Sequence, residues 1–136
     1  MGTQLAYVRD FKDLELSKRQ RELSREAFRL SKSFPAEERY SLTDQLRRAS
    51  RSIGAQIAEA WAKRLYPKHF VSKLSDPGGE QMETQHWLIE AGDSKRLLAL
   101  CEEIDRMLGA TIGKAETFSS HDYVLRDEPP PYLAGG

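Results

Sequence analysis

The chain has 136 residues, 39% hydrophobic and 31% charged, with one cysteine and a formal charge of zero from 21 Lys/Arg and 21 Asp/Glu. That is one domain's worth of soluble sequence with enough apolar side chains to bury a core; the lone cysteine excludes a disulfide framework and a Cys/His metal cluster, and fits a reducing cytoplasm. No window approaches the roughly 18 consecutive apolar residues of a membrane span, no basic-then-apolar opening marks a secretory signal, and the charge balance gives no overall pull toward nucleic acid.

Residues 1–12 read as an N-terminal arm of mixed character, loose as such termini often are. From Asp13 to about Ser33, the positions Leu16, Leu23, Ala27, Leu30 and Phe34 recur at steps of three, four and seven, the stripe of an amphipathic helix. Phe34-Pro35 stops it, because proline pushes the preceding residue out of the helical region.

Ser41 precedes Leu42 and stands three residues before Asp44, a variant of the capping box, so a second helix is expected to start there. Its stripe reads Leu42, Leu46, Ala49, Ile53, Ile57 and Ala60, and it is expected to reach Arg64. Gly54 costs about 1 kcal/mol against alanine inside a helix, and close approach of a neighbour is the expected compensation.

A third helical stripe opens after Tyr66-Pro67 with Phe70, Val71 and Leu74, and resumes with Met82, Gln85, Leu88 and Ile89. Between them lies Asp76-Pro77-Gly78-Gly79, where an interior proline costs about 3 kcal/mol. Either one kinked helix spans 67–91 or two short ones meet at Pro77, with Asp76 as a cap. Gly92 suits a C-terminal cap, and Asp93 or Ser94 the next N-cap. Leu97, Cys101, Ile104, Leu108, Ile112 and Ala115 mark a fourth helix ending near Phe118. Residues 119–136, with a triple proline and a Gly-Gly end, read as a flexible tail. The pattern is all-α: an antiparallel up-and-down four-helix bundle over residues 13–118.

The charge is uneven along the chain. Residues 1–64 carry 14 Lys/Arg and 9 Asp/Glu, a net of +5, and residues 65–136 the other 7 and 12, a net of −5. Lys18, Arg21, Arg25, Arg29 and Lys32 share one face of the first helix; Arg47, Arg48 and Arg51 cluster on the second, and Lys63-Arg64 close it. Such rows suit phosphate oxygens. They equally suit a solvated face or pairing between subunits, with Glu22 and Glu26 placed to neutralise Arg25 and Arg29, and Lys63 and Arg64 complementing the helix dipole. Glu59 sits in a small, apolar run and can pair with an arginine of a neighbouring helix or subunit, or simply face solvent.

Catalytic signals are weak. Glu83-Thr84-Gln85-His86 is a single Glu-x-x-His where a di-iron bundle needs two. Cys101 lies on an apolar stripe, so a packing thiol is the expectation, as core or interface packing is for Trp61 and Trp87. No cofactor, metal ligand set or catalytic residue is assigned.

Several motifs belong together: Phe11-x-x-Leu14; Phe34-Pro35-x-x-Glu38-x-Tyr40; Leu42-x-x-Gln45-x-Arg47-Arg48; Ser52-Ile53; and Ile57-Ala58-Glu59, with Phe70, Leu74 and Glu83-Thr84-Gln85 in the third helix. Over residues 11–115 the chain resembles the bacterial four-helix bundle proteins encoded in intervening sequences of 23S rRNA genes. The resemblance implies a closed bundle, assembly with copies of itself as a ring (typically a homopentamer), no enzymatic activity, and a third helix continuous through Pro77. A related branch, the accessory proteins of diversity-generating retroelements, forms a basic pentamer that binds a reverse transcriptase and nucleic acid. Ser17, Gln56 and Ala60 depart from the family pattern, and this chain is neutral. The resulting expectation is a non-catalytic cytoplasmic scaffold. The alternative is an RNA- or DNA-binding module that uses Arg47, Arg48, Arg51, Lys63 and Arg64.

Overall fold

The computed structural model describes residues 10–92 and 94–119. Every regular element among them is helical: α1 (Glu15–Ser31), α2 (Asp44–Trp61), α3 (Pro67–Ala91), α4 (Lys95–Gly113) and a single turn α5 (Ala115–Phe118). The expectations for most of the arm, for Asp93 and for residues 120–136 fall outside the described residues.

α1 starts two residues later than its apolar pattern implies. The Asp10 carboxylate accepts the Lys12 amide, and a 3-10 turn, Phe11–Asp13, leads in to an extended Leu14. The entry to α2 departs further. Pro35 is followed by a 3-10 turn, Ala36–Glu38, and a wide π-type turn, Arg39–Thr43, so the chain is helical well before Ser41. Ser41 caps nothing: its hydroxyl donates to the Glu38 carboxylate at 2.6 Å. Glu37 and Glu38 sit in the first of these turns, where the positive end of a helix favours acids, which lets helical structure start ahead of the capping pattern. α2 ends at Trp61, short of Arg64.

α3 runs unbroken through Pro77. Its buried row steps Phe70, Leu74, Pro77, Gln81, Thr84, Leu88, so the proline ring is itself core packing, which offsets the lost backbone bond. That row keeps the expected Phe70, Leu74 and Leu88 but not Met82 and Ile89, which stand one position off it and face outward, 59% and 64% exposed. The polar members of the row are satisfied. Gln81 donates to Asp105 at 3.2 Å and Thr84 to the Glu80 carbonyl at 2.8 Å. α3 closes at Gly92, whose φ of 94° is a conformation that side chains resist. Ser94 does occupy the N-cap position of α4, but its hydroxyl donates backward to the Leu88 and Gly92 carbonyls instead of accepting from α4.

α1 packs on α2 and α4, and α3 packs on the same two helices. The shared core is built from Leu23, Leu46, Ile53, Ile57, Leu74 and Ile104, all fully buried. Each such side chain contributes about 1.5–3 kcal/mol of burial. At one end the fourth helix turns at Lys114, so that Phe118 meets Trp61 and Phe70 edge-on, with ring centroids 5.5 and 6.2 Å apart. Between α1 and α2 a second device appears. The Gln20 amide is buried and donates to the Ser50 carbonyl at 2.9 Å, and its Oε1 lies 2.5 Å from where a Cβ on Gly54 would stand. The missing side chain at Gly54 is the space that Gln20 fills, as its position in the helix interior implied.

Candidate functional site

The structure divides the five basic residues singled out on α2. Arg47 and Arg51 turn toward α1. The half-buried Arg47 donates from Nε to the Ser31 hydroxyl at 2.7 Å, and its guanidinium lies 4.4 Å from the centre of the Phe28 ring. Arg51 lies 5.5 Å from the same ring and Lys32 5.0 Å. Arg48 instead turns toward α3, where it pairs with Glu83 and, at 3.7 Å, with Glu80. Lys63 and Arg64 belong to neither group: they follow the end of α2 at Trp61, which at 1.5 Å per helical residue is itself roughly 21 Å along the helix from Arg47. Arg64 lies over Trp61 at 4.6 Å and donates to that residue's carbonyl. Glu59 pairs with a lysine and not an arginine, Lys73 of α3, at 3.9 Å. Lys73 is held more closely by Asp76 at 2.9 Å; the Asp76 hydrogen bond is the main influence keeping its ammonium protonated above the usual lysine range.

What gathers instead is a surface shared by α1 and α2. Arg25, Arg29 and Lys32 join Arg51 around Phe28 and Ser24 in a groove of about 450 Å³. A second groove, of about 750 Å³, begins at Arg51 and continues past Arg48, Gln45 and Ser52 to Asp44 and Tyr40. Tyr40 is 82% exposed. Glu22 and Glu26, placed to pair with Arg25 and Arg29, form their ion pairs elsewhere, although Arg29 still helps to hold the Glu26 carboxyl low. Glu26 takes Arg96 of α4 at 2.7 Å and Glu22 takes Arg19 at 3.0 Å, while Glu103 of α4 also holds Arg19 at 2.8 Å. The hydrogen bond from Arg96 is the largest influence holding the Glu26 carboxyl below its ordinary range. Among the described residues no carboxylate forms an ion pair with Arg25, Arg29, Lys32, Arg47 or Arg51.

Phe28 and Tyr40 are the members that the sequence reading missed. Phe28 left a legible trace: it lies off the apolar stripe, with Arg25, Arg29 and Lys32 at three before, one after and four after. Tyr40 stood inside a motif but nothing local marked it as exposed.

The remaining candidates resolve into packing. Burial pushes the Cys101 thiol up to about 12, so it stays protonated at neutral pH. The Glu83 carboxylate is engaged by Arg48 and by the Trp87 indole at 3.1 Å. Among the described residues no three His, Cys, Asp or Glu side chains converge as a metal site. No described helix is long and apolar enough to cross a membrane.

A second surface lies on the outer side of α3. Val71, Gly78, Met82 and Ile89 are spaced by seven, four and seven residues, so they fall on one line, with Ser75 beside it. No charged residue occupies that line over a length of roughly 27 Å. Compared with known proteins, residues 12–110 match the family model described as 23S rRNA-intervening sequence protein. No curated protein and no solved structure matches the chain.

Proposed function

Because the chain belongs to the 23S rRNA-intervening sequence protein family, we propose that it is a non-catalytic scaffold. In this reading its four long helices form an antiparallel up-and-down bundle, and the bundle assembles in the cytoplasm with copies of itself into a ring, a homopentamer. The observation that carries this reading is the uncharged outer line of α3. A solvent-facing helix side normally carries charge, and Met82 and Ile89 at 59% and 64% exposure are large apolar side chains left without a partner in one copy. Seating that line on a neighbour buries them. The opposed charges of the two halves of the chain, +5 and −5 from the counts above, favour a head-to-tail arrangement in which unlike surfaces meet, and head-to-tail contacts close into rings.

Light scattering after size exclusion tests it. The expected particle mass is about five times 15.5 kDa. The pair Met82→Glu and Ile89→Glu is expected to reduce it to that of one chain, with helicity retained because neither side chain is in the core. A native chain that runs as a monomer would refute the ring.

A further inference from the structure

We propose that the joined grooves between α1 and α2 bind single-stranded nucleic acid, with the phosphate backbone across Arg25, Arg29, Arg51 and Lys32 and a base stacked on Tyr40.

Three observations converge. The first is unspent charge. Arg25, Arg29, Lys32, Arg47 and Arg51 form no ion pair with a carboxylate among the described residues: Glu26, which also feels the charge of Arg29, is bound to Arg96, and Glu22 to Arg19 and Arg96, while Arg48 in the second groove is paired with Glu83 and Glu80. Four of the five are arginines, whose planar forks match phosphate oxygens better than an ammonium does. The second is preorganisation. Arg47, Arg51 and Lys32 rest against one aromatic ring, and Arg47 is further tied to Ser31, so the groups are already ordered before an anion arrives. The third separates nucleic acid from an acidic protein. Tyr40 stands 82% exposed in the wall of the groove that contains Arg51, in the π-type turn Arg39–Thr43, with the Arg39 guanidinium 6.0 Å from its ring centre. Turns of that kind are rare and recur at functional sites. A cationic channel beside an open aromatic face is how single strands are held: phosphates follow the charge and an unstacked base covers the ring. A duplex hides its bases and has no use for Tyr40. Asp44, the carboxylate in this second groove, lies on the Tyr40 side and away from the Arg25–Lys32 row.

The site lies on α1, α2 and the turn Arg39–Thr43, not on the outer line of α3, so it does not depend on assembly. A ring would multiply the affinity of each copy's groove without creating it.

The test uses the full chain and fluorescence anisotropy with labelled twenty-nucleotide single-stranded RNA and DNA, each against its duplex, from about 50 to 300 mM salt. Single strands are expected to bind more tightly than duplexes, with log K falling against log salt at a slope of about −2 to −3, as three or four phosphate contacts give. The triple variant Arg25→Gln/Arg29→Gln/Arg51→Gln is expected to lose at least about tenfold in affinity and to flatten the slope by about 2. Tyr40→Ala is expected to lose about fivefold or more at an unchanged slope, and Tyr40→Phe to retain binding. Lys68→Gln with Arg106→Gln, on α3 and α4, is expected to change nothing. The proposal is overturned if no strand binds at about 50 mM salt, if the triple variant binds as the native chain does, if duplexes bind as well as single strands, or if poly-glutamate of matched charge competes as well as unlabelled strand does.

Discussion

The two long edges of α1 carry similar side chains and do opposite things with them. On the α4 edge, Arg19 and Arg96 meet Glu22, Glu26 and Glu103 in a closed network with contacts of 2.7–3.4 Å. On the α2 edge, Arg25, Arg29, Lys32, Arg47 and Arg51 face one another around an aromatic ring. Overall composition is neutral, and the first edge is nearly balanced, with two arginines against three glutamates; the second is wholly cationic. The lesson is that a balanced net charge says little about a surface, because what matters is whether each carboxylate is within reach of each cation. Glu22 and Glu26 show this: each stands three residues before the arginine it was placed to neutralise, yet their ion pairs are with Arg19 and with Arg96 of α4.

Three changes break or sharpen that contrast. The largest effect is expected from Gly54→Leu, which fills the space that the Gln20 amide occupies and strikes both helices of the open edge. Overpacking there is expected to cost about 1–3 kcal/mol, read as a lower urea midpoint with an unchanged slope. Next comes the closed edge, through pH. Glu26 has a native pKa held below its ordinary 4.5, chiefly by the Arg96 hydrogen bond. A lowered carboxylate pKa contributes stability that is fully present above the unfolded value and disappears as pH falls through the native one. Arg96→Ala is therefore expected to flatten the loss of stability that sets in as pH falls below about 4.5, read from urea midpoints across an acid series. The smallest effect belongs to the open edge. Arg29→Gln removes no ion pair and sits on an exposed turn, so the melting free energy is expected to stay within about 0.5 kcal/mol of native. If Arg29→Gln proves as costly as Glu26→Gln, the two edges are alike and the contrast fails.

Much of the helical order was legible because apolar periodicity reports burial directly. Leu23, Ala27, Leu46, Ile53, Ile57, Leu74, Leu88, Cys101 and Ile104 are all buried as their spacing implies. Two kinds of feature were not. Helix starts depended on which of several polar groups takes the free amides, and around Ser41 the carboxylate of Glu38 captured the hydroxyl that a capping pattern assigned to the backbone. The phase of α3 was also misread, since Pro77, Gln81 and Thr84 are not apolar by type yet fill the inner row while Met82 and Ile89 do not. The basic surface was half legible. Both arginine rows could be read, but which members meet depends on how the helices are set against each other, and that placed Arg47 and Arg51 beside α1 and sent Arg48 to α3.

That setting leads back to Gln20 and Gly54. A side chain seated in a notch on the next helix resists sliding as well as separation. If α1 moved by one helical turn, roughly 5.4 Å, the Gln20 amide would leave the gap at Gly54 and meet Ile57 or Ser50 instead. The same displacement would carry Phe28 out from under Arg47 and Arg51. The pair therefore works as an alignment key: a neutral, buried contact sets the spacing at which the cations of two helices stand side by side.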